Sequence, residues 1–316
     1  VVSSLATYTV TGTNTGGSVS TTITIQVNDI APIITYSSSS LTLTKGTAIS
    51  DLIPTSSGGT VISYSVSPTL PAGLSFDSST GKISGTPTAV TSSALYTITA
   101  TNTGGTDTAS ITIQVNDVQP LIGYTPNSII LSKGAAMSTA SPTLYGSGTP
   151  VSWSVSPSLP AGISLDTSTG DITGTPTAIT ASTVYTITAT NTGGSDTATL
   201  TIVVNDATPS IAFSPNSLTL TKGTLMTTAT PSSTGGAVLS WSITPTLPSG
   251  LSFDTSTGAI SGTPTVISSS TAYTVTASNS GGSDSTTITI VINDIPPSTL
   301  AYSGSPFTLT KDSAMT

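Results

Sequence analysis

The stretch Leu70–Thr88 reads Leu-Pro-Ala-Gly-Leu-Ser-Phe-Asp-Ser-Ser-Thr-Gly-Lys-Ile-Ser-Gly-Thr-Pro-Thr, and near copies lie at Leu159–Thr177 and Leu247–Thr265. The copies begin 89 and 88 residues apart, so the chain is a tandem array of one repeat. Within the stretch, Leu74 and Phe76 alternate with serine, which is typical of a half-buried strand.

A turn follows this short strand. Asp77 is placed to accept a backbone N–H of the turn, and Gly81 can adopt a positive φ at little cost. Ile83 then resumes the inward-facing pattern, while Pro71 and Pro87 flank the unit and keep it out of longer ladders. We predict two short strands joined by a turn, in which Asp77 has a structural role.

The composition excludes several classes of function. The 316 residues include 13 acidic residues, all aspartate, and 5 lysines, but no Arg, Glu, His or Cys. A net charge of −8 argues against nucleic acid and anionic membrane surfaces as partners. No apolar run is long enough to insert into a membrane. Because the usual general bases and activated nucleophiles are missing, we predict that the chain is not an enzyme.

The rest of each repeat also shows the alternation of apolar and polar residues that is typical of strands. In residues 30–118, the apolar positions that alternate with Ser, Thr or Gln are Leu41, Leu43, Tyr64, Val66, Tyr96, Ile98, Ala100, Ala109, Ile111, Ile113 and Val115. We predict an all-β fold: six or seven short strands per repeat, forming tandem immunoglobulin-like antiparallel β-sandwich domains. Tyr64 becomes Trp153 and Trp241 in the other repeats, and we predict that these rings fill the core.

The repeat divides the chain into five parts. We predict the C-terminal part of a repeat at 1–29, complete repeats at 30–118, 119–207 and 208–296, and the N-terminal part of a repeat at 297–316. The chain starts and stops inside repeats, and we interpret it as a window of a longer array. Short junctions that contain proline favour an extended, stiff rod. Strands of about ten residues would let each repeat add roughly 35–45 Å.

Lysine recurs once per repeat at equivalent positions: Lys45, Lys133, Lys222 and Lys311. In an immunoglobulin-like sandwich the first and last strands run parallel, so each lysine should reach the Asn-Asp pair that ends its repeat. We predict the junction ion pairs Lys45–Asp117, Lys133–Asp206 and Lys222–Asp294. Exposed pairs contribute only about 0.2–1 kcal/mol, so their value would lie in orienting the repeats.

The motif L-P-x-G-[LI]-S-[FL]-D-x-x-T-G-x-I-x-G-T-P-T, followed by Y-T-[IV]-T-A and N-x-G-G, resembles the He-PIG type of immunoglobulin-like repeat in large bacterial surface proteins. More distantly, it is similar to cadherin-like and dystroglycan-type domains. The resemblance covers essentially the whole chain. It implies an extracellular or cell-surface stalk, adhesin or filament component.

The likeness to cadherin-like junctions raises a weak calcium alternative. Asn116 and Asp117 resemble the Asn-Asp linker of such junctions, and Asn102 stands where they have an acid. The mid-domain acidic motif is replaced by uncharged residues near Thr88–Ser93, whereas calcium favours six to eight oxygens with several carboxylates. We therefore expect no cofactor, with calcium at Asn102, Asn116 and Asp117 as the weaker hypothesis.

Two modifications also stay open. Some bacterial surface domains that this chain resembles carry isopeptide cross-links, which would require a buried lysine beside an asparagine and an acid. The Ser/Thr-rich outer faces could carry O-linked glycans.

Two functions follow from this sequence. The first is a stiff spacer in an extracellular filament or adhesin stalk, whose partners are neighbouring repeats or identical chains in a fibre. The alternative is an adhesion module that binds a glycan or a protein through exposed loops such as Thr55–Thr60 and Leu144–Thr149. Those two loops differ in sequence between repeats, which favours the spacer.

Overall fold

The computed structural model describes residues 2–300 and 310–312, and every regular element in these residues is a β-strand. Accordingly, this part of the chain has no helix that could span a membrane. The predicted all-β fold is confirmed. Most of the partial repeat predicted at 297–316 lies outside the described residues, as does Val1.

Residues 1–29 contribute one antiparallel hairpin, formed by β1 (Ser3–Asn14) and β2 (Gly17–Val27). Tyr8 and Ile23 face each other across it and are each about half exposed. Equivalent residues of the complete repeats are buried, because there further strands cover the same face.

Each complete repeat contains eight strands in one order. In the first repeat they are β3 (Pro32–Thr35), β4 (Ser40–Thr44), β5 (Thr55–Gly58), β6 (Ser63–Ser67), β7 (Leu74–Phe76), β8 (Ile83–Gly85), β9 (Thr91–Asn102) and β10 (Gly105–Asn116). In the second they are β11 (Ile122–Tyr124), β12 (Ser128–Ser132), β13 (Pro142–Leu144), β14 (Ser152–Ser156), β15 (Ile163–Leu165), β16 (Ile172–Gly174), β17 (Thr180–Asn191) and β18 (Gly194–Asn205). In the third they are β19 (Ser210–Ala212), β20 (Ser217–Thr221), β21 (Ser232–Thr234), β22 (Ser240–Thr244), β23 (Leu251–Phe253), β24 (Ile260–Gly262), β25 (Ser268–Asn279) and β26 (Gly282–Asn293).

The prediction of six or seven strands per repeat was therefore too low. The extra strands are short, and β5 is the clearest case, because its Thr-Ser-Ser-Gly sequence carries no apolar alternation. It becomes a strand by pairing with β3, so most of the loop predicted at Thr55–Thr60 belongs to a small sheet. Tertiary pairing overrides the weak local preference here.

One four-stranded sheet forms the main layer of each repeat, in the order β4-β10-β9-β6. Strand β4, the first of the four in chain order, runs parallel to β10, the last in chain order, with Leu43 opposite Val115, as the sequence predicted. The other pairs are antiparallel. The same order returns as β12-β18-β17-β14 and β20-β26-β25-β22.

The alternation in β9 and β10 builds the core. Ile98, Ile111 and Ile113 are fully buried, while the threonines between them point outward. Burying such a side chain stabilises the fold by about 1.5–3 kcal/mol, so these two strands carry much of the stability of the repeat.

The repeated stretch Leu70–Thr88 forms part of the second layer of the first repeat. Its two strands, β7 and β8, pair as predicted, and Ile83 also bridges to Leu52. The Asp77 carboxylate accepts the Ser79 amide at 2.8 Å, which confirms the turn. Gly81 has a φ of 72°, and a Cβ there would lie 2.9 Å from the ring of Tyr64.

The large aromatic side chains lie in the core. Tyr64, Trp153 and Trp241 are all buried, which confirms their predicted packing role. The tyrosine that follows each time in the next long strand is also buried, at Tyr96, Tyr185 and Tyr273.

Candidate functional site: the junction between repeats

At the two junctions between complete repeats, one peptide bond joins the repeats, and both of its polar groups are bound. At the junction between the first two repeats, the carbonyl of Asn116 accepts the amide of Lys45 at 2.9 Å, within the first repeat. The amide of the next residue, Asp117, donates to Oγ1 of Thr192 in the second repeat at 2.8 Å. The peptide unit Asn116–Asp117 is therefore held from both sides, and no free residue separates the two contacts.

The same contacts recur at the other junctions. At the second junction, the backbone amide of Lys133 donates to the Asn205 carbonyl at 2.8 Å. The backbone amide of Asp206 donates to Ser280 Oγ at 2.9 Å. One half of the arrangement is seen at each outer junction, where the contacts are Asp29 to Thr103 at 3.0 Å and Lys222 to Asn293 at 2.9 Å.

The carboxylate of Asp117 organises the start of the second repeat. Its Oδ1 accepts the amide of Val118 at 2.9 Å, and its Oδ2 accepts the amide of Thr149 at 3.2 Å. The residue is only 8% exposed. Hydrogen bonds to an ionised acceptor are stronger than neutral ones, so this side chain ties two separate segments together. Asp29 and Asp206 make the equivalent pairs of bonds.

The linker packs against the Asn-x-Gly-Gly turn of the second repeat, which begins at Asn191. Asn191 is buried, and its Nδ2 donates to the Val118 carbonyl at 2.7 Å and to the Thr149 carbonyl at 3.2 Å. Its Oδ1 accepts the amide of Gly193 at 2.8 Å. Asn102 and Asn279 make the corresponding bonds to the linker carbonyl and to the glycine amide in their repeats.

The linker backbone requires glycine at the first glycine position of this motif. A Cβ on Gly193 would lie 2.1 Å from the carbonyl oxygen of Asp117, and Gly104 and Gly281 are equally close to the junction aspartates before them. Only glycine lets the turn and the linker approach so closely.

A further aspartate of the turn was missed in the sequence. Asp196 accepts the amide of Ile122 at 2.8 Å and so holds β11 against the turn. Asp107 and Asp284 do the same for Ile34 and Ile211. The signal was present, because an aspartate follows each of the three turn asparagines by five residues.

A family model described as Putative Ig domain (He_PIG) matches residues 31–116, 119–205 and 208–293. The chain belongs to the He-PIG family. This assignment confirms the resemblance found in the sequence motifs, and Asn116, Asn205 and Asn293 are the last residues of the three matched segments.

Curated relatives of these He-PIG repeats include "Serine-rich adhesin for platelets" of Staphylococcus aureus, which is 34% identical over 185 residues. That alignment covers 58% of this chain and 8% of the relative. The protein of the same name from strain MRSA252 is also 34% identical over 185 residues, covering 58% of this chain and 13% of the relative. The chain therefore spans only a small share of these proteins.

Solved structures similar to the He-PIG array include immunoglobulin domains 1–5 of Sidekick-1, with 16% identity and a TM-score of 0.40, covering 92% of this chain and 67% of that one. The titin I-band fragment I67–I69 gives 16% identity and a TM-score of 0.39, covering 84% of this chain and 98% of that one.

The lysine of each He-PIG repeat meets the junction mainly through its backbone. Lys45 Nζ lies 3.8 Å from Asp117 Oδ1, with the lysine side chain 41% exposed. Within residues 2–300 and 310–312, no ion pair within 4.0 Å joins Lys133 to Asp206 or Lys222 to Asp294. Pairing at those two junctions stays a prediction. The junction carboxylates are already bonded to backbone amides, which limits their reach toward an ammonium group.

The three calcium candidates have other hydrogen-bond partners in this structure, and a calcium site at these residues stays a hypothesis. Oδ1 of Asn102 accepts the Gly104 amide, Oδ1 of Asn116 accepts Gln114 Nε2 at 2.7 Å, and both carboxylate oxygens of Asp117 accept amides. The described part of the chain contains no group of three or more acidic side chains arranged to hold a metal ion. Calcium needs six to eight oxygens, and this donor set is already engaged.

Proposed function

We propose that this chain is a stiff spacer: a segment of an extracellular stalk or filament that holds other parts of a larger protein away from a surface. The observation that carries this proposal is the junction peptide, whose carbonyl is bound by one repeat and whose amide is bound by the next. A linker with no free residue resists bending, in contrast to linkers of several unbonded residues. The relatives, which are named as adhesins, support the extracellular location.

The same contacts support a division of the array. The domain limits at 30–118, 119–207 and 208–296 stay our proposal, with the junction aspartate bonded into the repeat that follows it. The He-PIG fold and its relatives support a structural or adhesion module without enzymatic activity.

The spacer function is tested by the distance between two neighbouring repeats. The chain lacks cysteine, so Ser65→Cys and Ser154→Cys, at equivalent exposed positions of β6 and β14, would carry spin labels at defined sites. Pulsed electron–electron double resonance should give one narrow distribution of distances between the two spin labels. Insertion of Gly-Ser-Gly-Ser between Asn116 and Asp117 should broaden it strongly.

The matched control is the same insertion between Ala178 and Ile179, an exposed loop away from the junction. It should leave the distribution narrow. A broad distribution in the unmodified array would overturn the spacer proposal, because a flexible junction cannot hold a fixed separation.

A further inference from the structure

The outer face of the small sheet β11–β13 distinguishes the second repeat from the other two. Tyr145 follows β13 and donates its amide to the Leu121 carbonyl at 2.8 Å. Both side chains are exposed, Tyr145 by 61% and Leu121 by 52%. The positions equivalent to Tyr145 hold Ser57 in the first repeat and Thr234 in the third.

Gly123 makes room for the tyrosine ring. A Cβ on Gly123 would lie 2.8 Å from Cε2 of Tyr145 and 3.2 Å from its Oη, so the outer end of the ring covers this glycine. The first and third repeats have Thr35 and Ala212 at the same place. The second repeat alone of the three therefore combines an exposed aromatic ring with a bare stretch of backbone beneath it.

The size of this surface limits what it can bind. An aromatic side chain has roughly 150–250 Å² to bury, so the exposed part of Tyr145 offers on the order of 100 Å². A stable protein interface needs about 800 Å² from each partner. The surface matches a single ring-sized ligand far better than a folded protein.

The chemistry of the surface limits the ligand further. Leu121, Gly123, Thr143 and Tyr145 carry no charge, and the nearby carboxylate of Asp196 is engaged by the backbone. A flat aromatic ring beside an aliphatic side chain accepts an apolar ligand face, while the tyrosine and threonine hydroxyls can bond polar groups at its rim. A sugar ring has both properties, since its C–H groups form an apolar face and its hydroxyls surround it.

We propose that Leu121, Gly123 and Tyr145 form a platform that binds one ring of a neutral oligosaccharide. The ring lies on Tyr145, and its hydroxyls face water and Thr143. One such platform occurs among the three complete repeats. The proposal is independent of the spacer function, because the outer face of β11–β13 can bind a sugar whether or not the junctions bend.

The test is saturation-transfer NMR on the whole chain with three neutral probes: cellohexaose, chitohexaose and maltohexaose. At least one probe should receive saturation at its ring protons. Tyr145→Ser, which installs the residue type of the first repeat, should weaken binding about tenfold or more, while Tyr145→Phe should retain most of it. Gly123→Ala should also weaken binding, because the added Cβ displaces the ring.

The matched control is Ile33→Ser, which removes the exposed apolar side chain equivalent to Leu121 in the first repeat and should leave binding unchanged. The proposal is overturned if none of the three probes binds, or if binding persists in Tyr145→Ser. It is also overturned if that variant converts a dimer into a monomer in sedimentation, since the surface would then be a contact between copies. Spin-label distances between repeats stay the same in either case.

Discussion

At Gly193, a single hydrogen atom in place of a methyl group allows the turn and the linker to meet. Gly193→Ala would place a Cβ 2.1 Å from the Asp117 carbonyl oxygen, and neither backbone can move without breaking hydrogen bonds. We expect the second repeat to lose about 1–3 kcal/mol of unfolding free energy. Urea denaturation followed by Trp153 fluorescence, in a Trp241→Phe background, measures this loss.

Gly146→Ala is the control for this substitution. A Cβ there would meet the Leu121 side chain at an ordinary 3.4 Å, so the unfolding free energy should change little. Equal losses in the two variants would show that the close approach at Gly193 has no special energetic role.

Acid should destabilise the aspartate turn in the third copy of the repeated stretch, Leu247–Thr265. Hydrogen bonds from the Ser256 hydroxyl and amide lower the pKa of Asp254 to about 2, against about 3.9 in an unfolded chain. Since the folded pKa is the lower one, the stabilisation is complete above about pH 4 and is lost as the pH falls toward 2.

Asp254→Asn tests this pH dependence, because the amide oxygen can still accept the Ser256 N–H but does not titrate. Thermal unfolding between pH 5 and pH 2, followed by Trp241 fluorescence in a Trp153→Phe background, should show a steeper fall in the unmodified third repeat than in the variant. Parallel curves would contradict the expectation.

At the level of elements, Asp117 could stabilise the junction in two ways, by accepting backbone amides or by pairing with Lys45. If its carboxylate acts by bonding Val118 and Thr149, then Asp117→Ala leaves two amides without their acceptor and costs about 1.5–3 kcal/mol. If the ion pair with Lys45 were the main contribution, Lys45→Ala would cost the same.

We expect Lys45→Ala to cost less than about 1 kcal/mol, because the ammonium group is partly exposed and 3.8 Å from the carboxylate. The backbone bond from Lys45 to Asn116 survives this substitution. Urea denaturation of both variants gives the comparison, and equal losses would restore the ion pair as the dominant contact.

For the whole molecule, we expect stability and spacing to be independent of calcium. A site with a dissociation constant of about 0.1–1 mM, typical of extracellular calcium modules, would add about 1–2 kcal/mol at 5 mM calcium. The engaged oxygens of the junction predict no such gain. Urea midpoints and spin-label distances should agree between samples in EDTA and in 5 mM calcium, and a rise in midpoint with calcium would refute this.

The sequence by itself determined the repeat, the strands with clear alternation and the buried aromatic residues. Strands such as β9 and β10 could be predicted because residues two apart share a face, so that local spacing reports burial directly. The turn roles of Asp77 and Gly81 were equally readable, since their hydrogen bonds and φ angles involve near neighbours.

Only the tertiary structure decided the junction and the small sheets. Strand β5 exists because β3 lies beside it, and Asp117 bonds Thr149 and Thr192, which lie 32 and 75 residues further along the chain. The sequence pointed to Lys45 and Asp117 as an ion pair, whereas the structure shows the aspartate engaged mainly by backbone amides. Such contacts depend on how distant segments approach in space, which the local alternation of apolar and polar residues does not report.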